Sequence, residues 1–324
     1  MTIHNPIGKL LEELRIGLDR IALFLYGSDD RPRALWHYTS ADGLHGILRS
    51  STLRFSHVRF VNDATDGVFG WSTVKQILNE SFADTPELLP TLTAAYSYGD
   101  NSHDRLQYFV FCLSERSDSL SQWRAYGRGG SGYALCFSTD KLLRCVGVDP
   151  SSYDPRRPAL LAASCFLAKT SYNKHEMQNA LYIGAYTVLD YMKQLEAAQL
   201  STEEKHCAVQ HANELFADYL IRSAISFKDP SFSDEGEWRL VVGVRTHGAL
   251  DDVGPDVQFR VDGDMIKPFV ELALDAGGGE PLPITRVMIG PTLKPVISRR
   301  ALELFLKYAG YDCVVDDSGV PLQA

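Results

Sequence analysis

Hydrophobic positions along the chain change repeatedly between helical and strand spacing, which predicts a protein that contains both kinds of element. Residues 5–26 place leucine and isoleucine three or four positions apart, as in an amphipathic helix. Residues 174–199 and 203–225 repeat that pattern over a greater length and predict a helical hairpin. Shorter helices are predicted at 41–50, 68–82, 86–96, 119–126, 140–144 and 299–309. We expect Ser40 and Ser298 to cap the first and last of these helices, and Ser201 or Thr202, with Glu204, to cap the second helix of the hairpin.

Strand-like runs, rich in β-branched and aromatic residues, fall into two groups that lie before and after the hairpin. They cover 34–38, 53–56, 108–114, 133–137, 159–169, 237–244, 256–261, 267–274, 284–290 and 312–315. This order predicts an α+β fold in which the hairpin is an insertion. We expect a single domain over 1–324, with an N-terminal helix in 1–30, core halves at 34–170 and 227–324, and the hairpin at 171–226.

Composition narrows the class of protein. The chain of 324 residues is long enough for a sizeable core, and its 45% hydrophobic and 23% charged residues are typical of globular proteins. A net charge of −9 argues against a general nucleic-acid binder. No apolar run reaches the ~18 residues of a membrane span, and no secretory signal is evident. We therefore expect a cytoplasmic protein whose cysteines are small, reduced core residues, with no metal site.

Several common catalytic signatures are missing from the sequence. It contains no phosphate-binding P-loop, no G-x-S-x-G and no H-E-x-x-H. The glycine-rich run at 127–132 precedes a predicted strand, whereas the dinucleotide-binding fingerprint precedes a helix. A Rossmann-type site is therefore not indicated.

The stretch 234–242 carries the strongest chemical signal. We predict that it forms a strand in which Glu235, Glu237 and Arg239 share one face. Paired carboxylates suit a reaction in which a positive sugar centre develops, because one can stabilise the cation while the other prepares the acceptor. The alternative is a solvated strand face with an ion pair between Glu237 and Arg239.

Two further groups of side chains could bind a ligand. His37 and Thr39 would point the same way from a strand and could hydrogen-bond a ribose or a carboxamide. The alternative is a strand-end histidine beside a hydroxyl that caps the next helix. Trp123 and Tyr126 would share a helix face and could wall a flat aromatic ligand. The alternative for these rings is burial in the core.

Six short motifs follow one another along the chain. They are His37-Tyr38-Thr39-Ser40, Phe60-x-Asn62-Asp63, Cys112-x-Ser114, Trp123-x-x-Tyr126, Glu235-x-Glu237-x-Arg239 and Ile289-Gly290-Pro291. In this order they resemble the motifs of a widespread bacterial family of domains of unknown function. The resemblance extends from about residue 34 to the end of the chain, and it implies no established activity.

A more distant resemblance is to ADP-ribosyltransferases. An early His-Tyr-Thr strand followed by a helix is similar to the opening of their DNA- and RNA-modifying branches, and Glu235-Gly236-Glu237 is similar to the two-glutamate motif of other branches. The resemblance implies a split mixed β-sheet with flanking helices and NAD as the substrate. The helical hairpin departs from a minimal core of this kind, and the acidic cluster Asn62-Asp63-Asp66 has no clear counterpart in it.

The same resemblance implies roles for individual residues. Glu237 would contact the ribose hydroxyl and stabilise the oxocarbenium-like transition state, and Glu235 would prepare the acceptor. His37 would hold the nicotinamide-side ribose with help from Thr39. Tyr126, or failing that Tyr133, would stack on the nicotinamide ring, with Trp123 as a wall of the site. Arg54 and Arg124 are the candidates for contact with the pyrophosphate.

The sequence thus predicts an NAD-dependent ADP-ribosyltransferase-like enzyme that acts on a macromolecular acceptor, a protein or a nucleic acid. A bacterial toxin or an anti-phage effector would be a fitting setting. Two alternatives stay open: a non-catalytic nucleotide-sensing or protein-interaction module, and a hydrolase of NAD or another nucleoside. The acceptor and the oligomeric state are not indicated by the sequence.

Overall fold

The computed structural model describes residues 6–26, 31–61, 66–101, 106–146, 165–245, 257–273, 282–292 and 294–321, and it confirms a mixed α+β architecture. Its helices are α1 (Pro6–Tyr26), α2 (Ala41–Ser50), α3 (Asp66–Phe82), α4 (Leu89–Asn101), α5 (Leu120–Ala125), α6 (Thr139–Cys145), α7 (Lys174–Ala197), α8 (Thr202–Ile225) and α9 (Pro295–Tyr308). Its strands are β1 (Ala34–Thr39), β2 (Thr52–His57), β3 (Leu106–Ser114), β4 (Tyr133–Ser138), β5 (Cys165–Lys169), β6 (Glu237–Arg245), β7 (Gln258–Asp262), β8 (Met265–Ala273), β9 (Ile284–Ile289) and β10 (Val314–Asp317). Short 3-10 helices lie at Arg128–Gly130 and Pro230–Glu235.

All ten strands join one mixed sheet. One path through it runs β10-β9-β4-β1-β3-β2-β8-β7, and β6 pairs with both β3 and β5. Strands β9 and β10 are parallel, whereas the other pairs are antiparallel. The sheet therefore joins strands from both sides of the hairpin in the sequence.

The sheet branches at β3. Strand β6 pairs along the whole length of β3 and so occupies one of its edges. The other edge is shared, because β2 pairs with it at Val110 and β1 pairs with it at Ser114. Two wings leave β3 at these points, β1-β4-β9-β10 and β2-β8-β7, and Cys112 lies between the two pairings.

Two large hydrophobic cores and two smaller clusters, one of them around Trp36, Tyr38 and Trp123, stabilise the described part of the chain. One large core lies among α1, α3, α4, α7 and α8, so the hairpin packs against the N-terminal helix and the helices that follow β2. The other large core lies between one face of the sheet and helices α2, α6 and α9. Since burying a large apolar side chain contributes roughly 1.5–3 kcal/mol, both cores are substantial.

A partly buried ion network connects the hairpin to the N-terminal helix. The guanidinium of Arg222 on α8 lies 3.0 Å from Oδ1 of Asp19 on α1 and 2.9 Å from Oδ2 of Asp218. Tyr108 of β3 donates its hydroxyl to the same Asp218 at 2.5 Å. The network thus connects the hairpin to the sheet as well as to α1.

Two predicted helix starts have the expected capping contacts. The Ser40 hydroxyl accepts a hydrogen bond from the Gly43 amide at the start of α2. Ser201 and Glu204 form a reciprocal capping box at the start of α8, which satisfies amide groups that have no partner within the helix.

Three sequence predictions are wrong in detail. The strand predicted from residue 234 begins only at Glu237, because Pro230–Glu235 forms a 3-10 helix. Helix α9 begins at Pro295 rather than after a Ser298 cap, since proline is favoured in the first helical turn. Cys207 is exposed on α8 rather than placed in a core.

Residues 62–65, which include part of the predicted acidic cluster, lie outside the described residues.

None of the described helices is both long enough and apolar enough to cross a membrane.

Candidate functional site

The candidate site lies where β6 begins, at a turn that brings two carboxylates together. The 3-10 helix ends at Glu235, and Gly236 then adopts a left-handed conformation with φ of 51° before the strand starts at Glu237. A Cβ at Gly236 would also lie 2.8 Å from Cγ of Glu115. Both glutamates are buried, 8% and 5% exposed. They converge through this turn, not through the strand alternation that the sequence predicted.

Lys228 lies between the two carboxylates. Its Nζ is 2.7 Å from Oε2 of Glu235 and 3.0 Å from Oε2 of Glu237, and the residue is only 3% exposed. The same ammonium group lies 4.9 Å from the centroid of the Phe232 ring. One buried cation is therefore shared by both acids.

Arg239 supplies the second positive charge. Its Nε and Nη2 donate to the two oxygens of Glu237 at 3.1 and 3.0 Å, and Nη1 donates to the carbonyl of Ile225 at 2.6 Å. The ion pair that the sequence left as an alternative is thus present, but Arg239 is 5% exposed, so the pair is not solvated. Among the described residues, two carboxylates thus face two cations.

These contacts set the ionisation of Glu237. Burial raises its pKa, but the charges of Arg239 and Lys228 outweigh that effect and lower it from 4.5 to about 2. Glu237 is therefore an anion at neutral pH and can accept hydrogen bonds or stabilise a cation. It is not suited to donating a proton.

Two tyrosines complete the polar surroundings. Tyr126 donates its hydroxyl to Oε1 of Glu235 at 3.0 Å, and the Tyr172 hydroxyl accepts from the Glu237 amide at 3.1 Å. Burial raises the pKa of both phenols well above the usual range, so both remain neutral. They act here as hydrogen-bonding groups and not as bases.

Strand β3 contributes Cys112 and Ser114. Ser114 pairs with Glu237 across the strands, and its hydroxyl donates to the Glu235 carbonyl at 2.6 Å. The pKa of the Cys112 thiol is raised first by burial and then by the negative charge of Glu237. The thiol therefore stays protonated at neutral pH.

His37 does not lie beside the two carboxylates. Alternation along β1 places it on the face opposite Trp36, whose cross-strand partner Ser114 shares a face with Glu237. The His37 ring stacks on Phe111 with centroids 4.2 Å apart. His37 is therefore linked to the carboxylates only indirectly, by its contact with the backbone carbonyl of Cys112 on β3.

The hydrogen bonding of His37 fixes its tautomer. Burial lowers its pKa to about 4, so the ring is neutral at pH 7. Its Nδ1 lies 2.9 Å from the Cys112 carbonyl oxygen. Because a carbonyl can only accept, Nδ1 carries the proton and Nε2 presents a lone pair.

Two of the aromatic residues predicted to contact a ligand ring pack against other parts of the protein instead. Trp123 is fully buried, donates Nε1–H to Asp118 at 2.6 Å and contacts Tyr38 edge-on, so it belongs to the core. Tyr133 is half-buried on β4 and packs against the sheet core. Of the predicted ring residues, Tyr126 is the one that the structure places at the carboxylates.

The remaining predicted residues lie away from the carboxylates. Arg54 is on β2 in the other wing, where it forms an ion pair with Glu271 at 2.8 Å and covers the Phe269 ring. Thr39 packs against the start of α2, where its Oγ1 would lie 2.0 Å from a Cβ added at Gly43. Arg124 is exposed on α5.

Lys228 and Tyr172 were missed by the sequence reasoning. They flank the hairpin, and its ends are joined because Ser171 and Phe227 form a parallel bridge beside β5 and β6. Such a long-range contact leaves no local pattern. The available signal was indirect: two acids in a mostly apolar run require cations, and Lys228 follows the apolar end of α8.

A cavity of about 440 Å³ lies elsewhere, toward the opposite end of β3. Its lining includes His57, Gln107, Phe109, Phe259 and Pro268, and none of the predicted site residues. No group of three or more His, Cys, Asp or Glu side chains within the described ranges could hold a metal ion. The candidate site is therefore the cluster of Glu235, Glu237, Lys228 and Arg239.

No curated protein and no solved structure matches this chain. A family model does match part of the chain. The matched segment is shorter than the motif resemblance, which begins near residue 34. It contains the Trp123-x-x-Tyr126 and Glu235-x-Glu237-x-Arg239 motifs. Residues 122–240 match the family described as "Protein of unknown function (DUF2971)".

Proposed function

We propose that this protein is an NAD-using enzyme of the ADP-ribosyltransferase type, which transfers ADP-ribose to a macromolecular acceptor. The observation that carries the proposal is the convergence of the Glu235 and Glu237 carboxylates on one positive group, the ammonium of Lys228. Two anions oriented toward one cation are the arrangement that a developing sugar cation needs. The mixed sheet with flanking helices is compatible with the α+β core that the resemblance implies.

In the proposed reaction, Glu237 supplies the negative charge beside the sugar. Its low pKa keeps it ionised, and its contacts with Arg239 and Lys228 hold it in one orientation. Glu235 accepts from Tyr126 and would orient the acceptor. His37 would act as a positioning residue through the Cys112 carbonyl, since it lies on the other face of the sheet.

The substrate must compete with contacts that already exist. Lys228 and Arg239 occupy both oxygens of Glu237, so a ribose hydroxyl would have to share or displace one of them. We expect displacement at Lys228, because it makes one contact to Glu237 whereas Arg239 makes two.

The test is release of nicotinamide from NAD by the purified protein, alone and with cell extract or nucleic acids. We expect turnover by the wild type, loss of turnover in Glu237→Gln, and little change in Glu271→Gln, which alters an exposed ion pair. Tyr126→Phe serves as a second site variant if Glu237→Gln does not fold. Equal inactivity of wild type and variants under all conditions would refute the enzyme proposal.

The product then distinguishes transfer from hydrolysis. Label from NAD that becomes attached to a protein or a nucleic acid supports transfer, whereas free ADP-ribose alone supports hydrolysis with water as the acceptor. Growth arrest on expression of the wild type but not of Glu237→Gln would support a toxin or anti-phage setting.

One observation favours a second candidate, a non-catalytic nucleotide-sensing module on the same scaffold. The charges of the cluster are already paired and buried, as in a structural ion network. Calorimetric titration with NAD and ADP-ribose separates the two candidates. Tight binding that survives in Glu237→Gln, without turnover in the wild type, favours the sensor.

A further inference from the structure

Lys228 differs from an ordinary buried lysine, because two separate carboxylates point at one ammonium group. The distances of 2.7 and 3.0 Å place both acids in direct hydrogen-bonding contact with Nζ. Each acid is also fixed from its other side, Glu235 by Tyr126 and Glu237 by Arg239. Each acid therefore has contacts that do not depend on Lys228.

Lys228 reaches this position because of how the hairpin rejoins the sheet. Its amide donates to the Ser171 carbonyl at 3.1 Å, and the Ser171 amide donates to the Ser226 carbonyl at 2.8 Å. Tyr172, next to Ser171, accepts from the Glu237 amide. Both ends of the hairpin thus place a side chain against the glutamates, so the hairpin completes the cluster.

We propose that Glu235 and Glu237 form a binding site for a primary ammonium group and that Lys228 occupies this site as an internal ligand. Lys228 is thereby a positioning residue for the two carboxylates. We call the two carboxylates the ammonium site. Occupation of the ammonium site by Lys228 does not depend on the release of nicotinamide from NAD.

Removing the internal ligand should leave a site that an external ammonium ion can fill. In Lys228→Ala, the four-atom chain beyond Cβ is lost, while Arg239 and Tyr126 still hold the acids. Propylammonium has the length and charge of the lost group, whereas tetramethylammonium has the charge but no N–H donor. Binding to the folded state alone raises the unfolding temperature as ligand is added.

The experiment measures the unfolding temperature of Lys228→Ala in propylammonium, tetramethylammonium or sodium chloride at equal ionic strength. We expect a loss of ~10 °C in the variant, because an anion pair is left without its shared partner. We expect propylammonium, and neither other salt, to restore part of that loss in a saturable manner. Identical curves in all three salts would overturn the proposal.

Lys267→Ala is the matched control. Lys267 is also buried, 8% exposed, and it contacts one carboxylate, that of Asp262 at 2.8 Å. Because a single half-exposed acid does not form a two-carboxylate site, propylammonium should not rescue this variant selectively. Equal rescue of both lysine variants would also overturn the proposal.

The pH dependence of Lys228→Met gives a second readout, which applies if Lys228→Ala fails to fold. Without the ammonium group, two adjacent carboxylates repel each other, so the folded variant binds a proton more tightly than the unfolded chain does. Stability gained in this way is lost as pH rises, so Lys228→Met should be more stable at pH 5 than at pH 8 relative to the wild type. Lys228→Arg, which retains a cation, should follow the wild type. A loss of stability that is the same at both pH values would show only a packing role and would refute the positioning role.

Discussion

Replacing Glu237 by glutamine tests the energetic importance of the buried cluster directly. The substitution keeps the shape of the side chain but removes the negative charge that Lys228 and Arg239 both contact. Because the wild-type pKa falls from 4.5 to about 2, ionised Glu237 stabilises the folded state by about 3 kcal/mol at neutral pH. Loss of one partner from a buried pair costs a similar amount, about 3–5 kcal/mol. We therefore expect the free energy of unfolding to fall by about 3 kcal/mol at pH 7.

The sign of the pH dependence follows from the lowered pKa. The contribution of Glu237 is complete above its unfolded pKa of 4.5 and is lost as pH falls toward about 2. The difference between wild type and Glu237→Gln, measured by urea unfolding at several pH values, should be constant above pH 5 and shrink below pH 4. Glu271→Gln is the control, since its partner Arg54 has a side chain that is 49% exposed, and exposed pairs contribute at most about 1 kcal/mol. A loss below 1 kcal/mol in Glu237→Gln, or a loss that does not change with pH, would refute the argument.

Three further substitutions test other parts of the description. Gly236→Ala places a Cβ on a residue with φ of 51° and against Glu115, so thermal unfolding should show a loss of about 1–2 kcal/mol; wild-type stability would contradict the turn. Tyr126→Phe removes the hydrogen bond to Glu235 and should cost about 1 kcal/mol in chemical unfolding, with the ring packing kept. Arg222→Met removes the cation that Asp19 and Asp218 share, although Asp19 keeps its contact with Arg15, and should cost about 2 kcal/mol in urea unfolding followed by circular dichroism; wild-type stability would argue against a stabilising network.

Local patterns in the sequence predicted most elements because their causes are local. The Ser201–Glu204 capping box and the Ser40 cap lie within a few residues of the helices they start, and both form as predicted. The start of α9 was misplaced because Ser298 resembles a cap, whereas Pro295 favours the first turn. Competing local signals of this kind differ by only about 1 kcal/mol.

The candidate site was predicted only in part. Alternation assumes a straight strand, but Gly236 turns the chain just before β6, so Glu235 reaches Lys228 by another route than a shared strand face. Lys228 was missed because its partners are fixed by the way the hairpin returns to the sheet. Trp123 could not be assigned from spacing alone, since a helical aromatic suits a core and a ligand wall equally.

The bridge between Ser171 and Phe227 also has a consequence for the order of folding. Strands β5 and β6 pair from Lys169↔Trp238 onward, although the whole hairpin separates them in the chain. If α7 and α8 associate early, through contacts that are close in sequence, they bring the two strands together and remove most of the loop-closure entropy of that pairing. We therefore expect destabilising substitutions between α7 and α8 to slow refolding, measured by stopped-flow fluorescence, more than they accelerate unfolding.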